Sequence, residues 1–257
     1  MKKISFENIY KAGHIASEND LYLHVHYPEM LIMYDSNFID FKRMPTLSEF
    51  KETELYLRAF HVLNGQKHVK FYFPQDEQLS KELNDYLDDA CYAVGFQELY
   101  EIKPSNFPAV ADDPKIDIQT VSTENLEAFL KLQYVIDLEF GSNFAEQKQK
   151  IHRKKFTDSR FLQVIAYYDG ILVGSVDVII AEETAEIDSF TVLDSFQRKG
   201  IGSRMQKYVM DQFMDKIIIL VADGEDTPRE MYRKQNYQYL GFKYGVQKVF
   251  ADLLLKG

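Results

Sequence analysis

"DSFQRKGIGSRMQKY" occupies residues 194–208. Gly200 and Gly202 flank one isoleucine, and Arg198 and Lys199 stand before them. Upstream, "AEIDSFTVL" (185–193) reads as a strand. Downstream, Met205, Tyr208, Val209 and Phe213 share one helical face. The chain therefore leaves a strand and enters a helix through a glycine turn. The first N–H groups of a helix lack internal partners and carry the positive end of its dipole. Glycines remove the Cβ atoms that would keep an anion away from them. Such a turn suits a pyrophosphate, with Arg198 and Lys199 adding charge. Rival phosphate motifs do not fit. There is no Gly-x-x-x-x-Gly-Lys-Ser/Thr, and Met205 stands where the dinucleotide fingerprint needs its third glycine. Two glycines at a helix start also make a plain tight turn, so the flanking elements must decide.

Before the turn, "KIDIQTVS" (115–122) alternates as a strand, and Ser122 or Thr123 can cap the helix "ENLEAFLKLQYVIDLEF" (124–140), which Gly141 stops. "NFAEQKQKIHRKKF" (143–156) is a second helix, and its Lys148, Lys150, Arg153, Lys154 and Lys155 read as a solvated face. Asp169-Gly170 between two apolar runs predicts a hairpin whose turn residues both take positive φ. After the turn, "KIIILVAD" (216–223) is an apolar strand. "TPREMYRKQNY" (227–237) is a short helix with Thr227, Pro228 and Glu230 as its start signal. "YQYLGFKY" and "VQKVFADLLL" read as two closing strands.

In this context Gln197-Arg198-Lys199-Gly200-Ile201-Gly202 resembles the Gln/Arg-x-x-Gly-x-Gly/Ala signature of the GNAT N-acetyltransferase superfamily. Met231-Tyr232-Arg233-Lys234-Gln235-Asn236-Tyr237 resembles that family's Leu-Tyr-x-Lys-x-Gly-Phe ending, with Asn236 in place of glycine. The resemblance covers about residues 115–257 and implies an α/β fold: a mixed, mostly antiparallel, splayed sheet flanked by helices. It also implies acetyl-CoA as cosubstrate and no metal. Phe190, Thr191 and Val192 would meet the pantetheine arm. Gln197, Arg198, Lys199, Gly200, Ile201, Gly202 and Ser203 would hold the pyrophosphate. Tyr232 would protonate the leaving thiolate, and Val192 N–H would meet the thioester oxygen. Glu186 or Asp188 would take the proton of a primary amine, a role that bound water fills in other members. Family positions near Glu225 and Pro228 depart from the usual Asn and Ala. An acyl-CoA-binding module without turnover fits the same loop.

"IKPSNFPAVADDPKI" (102–116), with three prolines, reads as a linker between domains at 1–110 and 111–257. In the first domain, Thr46 and Glu49 form a capping box ahead of "LSEFKETELYLRAFHVL" (47–63). "QLSKELNDYLDDACYAV" (78–94) reads as a helix stopped by Gly95, which places Cys91, the single cysteine, inside a helix. His24 and His26 share a strand face but show no third metal ligand, and His61 and His68 read as loop-edge residues. The order strand, helix, Gly-Phe, strand suggests a smaller, reduced GNAT-like domain without a glycine loop.

The net charge of −10, from 40 acidic and 30 basic residues, argues against a nucleic-acid partner. Most of the excess acid lies in the first domain, which suggests an acidic wall for a cationic acceptor. The basic N-terminus has no apolar run behind it, and no stretch is long enough to span a membrane, so a cytoplasmic protein is expected, with a homodimer as an open arrangement.

Overall fold

The structure is a computed structural model and describes residues 3–224 and 228–250. The chain divides into two compact units that interleave in sequence. The first holds Met1–Glu98, Ala222–Asp226 and Leu240–Gly257; the second holds Leu99–Val221 and Thr227–Tyr239.

In the first unit, β1 (His14–Glu18) and β2 (Tyr22–His26) form an antiparallel pair, followed by β3 (Phe38–Phe41). Helix α1 (Leu47–Leu63) then carries the chain to β4 (His68–Tyr72), which runs parallel to β3. The predicted capping box is present. Thr46 Oγ1 accepts from Glu49 N, and Glu49 accepts from Thr46 N. Helix α2 (Lys81–Asp89) leads to β5 (Ala93–Ile102). Phe41, Phe50, Phe71 and Phe73 fill the core between this sheet and the helices.

Several expectations change here. Helix α2 ends at Asp89, and Gly95 lies inside β5. Cys91 sits outside the helix, exposed, with φ of +57°. The turn Ala90–Cys91 ends the helix before any glycine is reached. His61 and His68 are fully buried, because α1 turns its last residues onto β4. Among the described residues no group of three or more His, Cys, Asp or Glu is placed to hold a metal ion.

The second unit runs β6 (Ile116–Thr120), α3 (Leu126–Asp137), α4 (Ser142–Thr157), β7 (Phe161–Tyr168), β8 (Ile171–Ile180), β9 (Thr184–Val192), α5 (Ile201–Gln212), β10 (Ile217–Asp223) and α6 (Pro228–Lys234). Strands β6 to β9 form an antiparallel meander, and β9 is parallel to β10. The β7–β8 hairpin turns on Asp169 (φ +48°) and Gly170 (φ +78°), the two positive angles that a tight hairpin of this kind needs. Helix α3 starts at Asn125–Leu126 rather than at a Ser122 or Thr123 side-chain cap; Ser122 Oγ accepts only from Glu124 N. The Thr227 cap lies outside the described residues.

The described residues end in one strand, β11 (Gln238–Val249), which runs through the break expected between the two closing strands; residues 251–255 of the second lie outside the described residues. Its register against β4 runs from Gly245↔Tyr72 to Val249↔His68. Gly245 therefore does not break the strand. A Cβ there would stand 2.9 Å from the Tyr72 ring, so glycine makes room for that ring. No helix among the described residues is long and apolar enough to cross a membrane.

Candidate active site

The register between β9 and β10 runs from Thr184↔Ile217 to Ile187↔Leu220, while β9 continues to Val192. The divergence begins at a bulge. Ser175↔Thr191 and Asp177↔Asp188 enclose one residue on β8 and two on β9. Ser189 takes φ of +50° to absorb the extra residue. Beyond it, Leu193 N donates to Val173 O at 2.9 Å, which makes 193 and 173 a hydrogen-bonded pair. Antiparallel alternation then turns the Val192 N–H and C=O to the other edge, where β10 has diverged. Gln197 Nε2 takes that carbonyl at 3.2 Å and Asp194 Oδ1 at 2.8 Å. Thr191 and Val192 thus line an opened edge of the sheet.

At the mouth of this opening α5 begins. Arg198 (φ +59°) and Gly200 (φ +84°) both take left-handed geometry, and Gly200 is the N-cap. Glycine has no side chain to cap the helix, so the N–H groups of Ile201, Gly202 and Ser203 are left for an external acceptor. Space beside Gly200 is open, and the Phe190 ring packs 3.4 Å from where a Gly202 Cβ would stand. Lys199 lies over the Tyr168 and Phe196 rings, at 5.0 and 4.8 Å from their centroids. Arg198 is exposed.

Helix α6 ends as expected, with Asn236 at φ of +66°. Tyr237 N reaches back to Tyr232 O at 2.9 Å, which closes the helix in the way a C-terminal glycine would. The Tyr232 ring lies 5.2 Å from Tyr100 and 5.4 Å from Tyr237. Burial raises the Tyr232 phenol above its ordinary value, so it stays protonated at neutral pH. Tyr237 Oη donates to Gln206 Oε1 at 2.9 Å and ties this end of the chain to α5.

On the opposite sheet face lie the two acids. Glu186 is buried at 8% exposure, and Asp188 stands two residues further along β9. The basic run of α4 is only partly a solvated face. Lys148 and Lys155 lie on its buried stripe with Ala145 and His152. Lys155 Nζ donates to Asp177 Oδ2 at 2.7 Å and to Asp188 Oδ2 at 3.5 Å. Burial opposes the Lys155 charge, but the two carboxylates outweigh it and raise its pKa. Asp188 is therefore already engaged by a cation. The stripe 145, 148, 152, 155 was the available signal. It follows helical periodicity, and lysines on it were read as solvent-facing because lysine is seldom buried.

The sequence profile of the acetyltransferase (GNAT) family matches residues 127–237, which span this bulged strand, glycine loop and helix. Residues 127–237 belong to the GNAT family. A second profile, a domain of unknown function (DUF5613), matches residues 4–100 and marks a distinct N-terminal domain. No curated relative matches the chain. A functionally unknown conserved protein from Staphylococcus epidermidis is 31% identical, covering 97% of this chain and 99% of that one, at a TM-score of 0.90. A GCN5-related N-acetyltransferase from Kribbella flavida shares the fold at 12% identity, over 94% of this chain and 91% of that one, TM-score 0.63. A tandem GNAT protein from the clavulanic acid biosynthesis pathway does so at 9% identity, over 84% and 76%, TM-score 0.52. The GNAT fold implies an acyl-CoA cosubstrate and acyl transfer.

Proposed function

We propose that this GNAT protein moves an acetyl group from acetyl-CoA directly to a primary amine of a small molecule or peptide. The observation that supports it best is the adjacency of two features. The β9 edge opens after Ile187, and the uncapped, glycine-led start of α5 follows at its end. An extended amide-bearing arm fits the first, and a pyrophosphate fits the second.

The residues divide the work as follows. Phe190, Thr191 and Val192 offer backbone groups to the pantetheine arm. The segment Gln197–Ser203 holds the pyrophosphate through N–H groups, with Arg198 and Lys199 nearby. Val192 N–H stabilises the negative charge that grows on the thioester oxygen. The amine nitrogen forms a bond to the carbonyl carbon as the carbon–sulfur bond breaks. Tyr232 gives its proton to the departing thiolate, and Glu186, directly or through water, takes the proton the amine loses. The reading places the protein in the cytoplasm, as a monomer or homodimer.

A second reading, acyl-CoA binding without turnover, draws on the pairing of Asp188 with Lys155, which removes one candidate base. A screen of primary amines with acetyl-CoA, read by release of free thiol, separates the two. Thiol release that saturates with one amine class supports transfer. Saturable acetyl-CoA binding with no thiol release across the screen supports the binding module.

A further inference from the structure

Lys155, near the C-terminal end of α4, links the interior of the sheet to its open edge. Its Nζ donates to Asp177 Oδ2 on β8 at 2.7 Å and to Asp188 Oδ2 on β9 at 3.5 Å. Exposure rises along that clasp, from 1% for the Asp177 side chain to 13% for Lys155 and 41% for Asp188. Asp177 is thus a dry anchor, and Asp188 is the member that meets solvent. A lysine held by a buried carboxylate in this way has little freedom to follow Asp188, so Asp188 must come to it.

Asp188 also holds a particular place on β9. Ile187↔Leu220 is the last pair with β10, so Asp188 is the first residue at which the strand stands open. Ser189, with φ of +50°, belongs to the bulge immediately after it. A half-exposed aspartate beside a bulge could swing to solvent on either side. Lys155 fixes its Oδ2, while Oδ1 has no hydrogen bond among the described residues. An ionised carboxylate accepts several donors, so this oxygen is free to take one more.

The lysines do not make this point attractive to an anion. Lys148, on the same stripe of α4, is 8% exposed and lies in the field of Asp137, Asp177 and Asp188, as Lys155 lies in that of the last two. The accessible charge at the opening is therefore the carboxylate of Asp188.

We propose that Lys155 is a positioning residue that aims the free oxygen of Asp188 at the acceptor's ammonium, and that the acceptors are primary amines of net positive charge rather than amino acids. This rests on the acetyl-transfer reading and narrows its acceptor. Asp188 binds the ammonium on arrival, and Lys155 and Asp177 act only through Asp188. A carboxylate on the acceptor would be brought toward a like charge and repelled.

The test is steady-state thiol release from acetyl-CoA with 1-aminohexane, 1,6-diaminohexane and 6-aminohexanoate, which share one chain length and differ in charge. The wild type should use either of the first two at least about tenfold better in kcat/KM than the zwitterion, the scale of one hydrogen bond to a charged group. This comparison needs no variant to fold. Asp188→Asn should raise KM for the amines by about tenfold and leave KM for acetyl-CoA within about twofold. Asp177→Asn, which never touches the acceptor, should also raise the amine KM with kcat unchanged, whereas Lys155→Arg, able to bridge both carboxylates, should stay near wild type. Equal use of 6-aminohexanoate by the wild type overturns the inference and leaves acetyl transfer standing. An unchanged amine KM in folded Asp188→Asn does the same, and an unchanged amine KM in folded Asp177→Asn removes Lys155 from the positioning role. No thiol release with any of these acceptors also overturns the inference; the transfer reading falls with it only if the wider amine screen is silent too.

Discussion

Asp177 and Asp188 face each other across β8 and β9, and the single ammonium of Lys155 binds both. Two carboxylates directly opposite on one sheet face repel each other. Asp177 is 1% exposed at its side chain, so it cannot turn to water for relief. Lys155→Met should therefore destabilise the second unit by about 3–5 kcal/mol, the usual cost of breaking a buried pair from one side. Adding Asp177→Leu should recover part of that loss. Urea unfolding of the single and double variants measures both, and a single variant as stable as wild type would show the pair to be dispensable.

Tyr232→Phe removes a hydroxyl that burial keeps protonated. Its effect should fall on turnover, by about 10²–10⁴-fold, because proton donation matters only as the thiolate leaves. Acetyl-CoA affinity should change less than about twofold. Steady-state rates and equilibrium titrations on the same preparation separate the two quantities; equal turnover would confine Tyr232 to packing against Tyr100 and Tyr237.

The first unit should lose stability in mild acid. His24, His61 and His68 are buried, and burial lowers their pKa values to about 4, 4 and 3. His61 Nδ1 meets His68 O at 2.6 Å and His68 Nε2 meets Asn37 O at 3.1 Å, so each ring donates one proton and stays neutral. His24 Nδ1 meets Tyr56 Oη, and Asp35 and Lys70 act on His68 in opposite senses. In the unfolded chain these groups titrate near 6.5, so below that pH the unfolded state binds more protons. Stability is complete above about pH 6.5 and falls as the pH drops toward about 4. Urea midpoints at pH 7, 6 and 5, followed by circular dichroism, should decline with an uptake approaching about three protons on unfolding. His68→Asn should flatten the dependence, and a flat wild-type profile would refute it.

A fragment starting at residue 111 should not fold alone. It lacks Leu99, Tyr100, Ile102 and Phe107, which are buried members of the second unit. Two-dimensional NMR of that fragment should show collapsed amide dispersion, and a dispersed spectrum would count against this view of the unit.

Local rules made part of this legible. Asp169-Gly170, the Thr46–Glu49 box, Gly200 and Asn236 each answer to the backbone angles or hydrogen bonds of their immediate neighbours, and each stands where its sequence suggested. Long-range packing hid the rest. Gly245 looked like a break until Tyr72 was seen lying on it from β4. Lys148 and Lys155 looked solvated because nothing nearby in sequence announces Asp177 and Asp188. His61 and His68 looked like loop edges because only the docking of α1 on β4 buries them. In the site itself, the glycine turn was legible once its spacing was read together with the strand before it and the helix after it. The bonds of Arg204 to Ala111 and of Asn236 to Asn106 were not, because each spans about 90 to 130 residues.

The account stands most directly on acetyl-CoA binding at the glycine turn. Titration of acetyl-CoA into the wild type and into Gly202→Val, followed by calorimetry and by the thermal midpoint, tests it. At about 100 times the dissociation constant the wild type should gain roughly 2.7 kcal/mol of stability. In the variant a branched side chain would press on the Phe190 ring and crowd the N–H groups of α5, and most of that gain should disappear while the protein stays folded. No binding to the wild type, or an undiminished gain in the folded variant, would contradict the account.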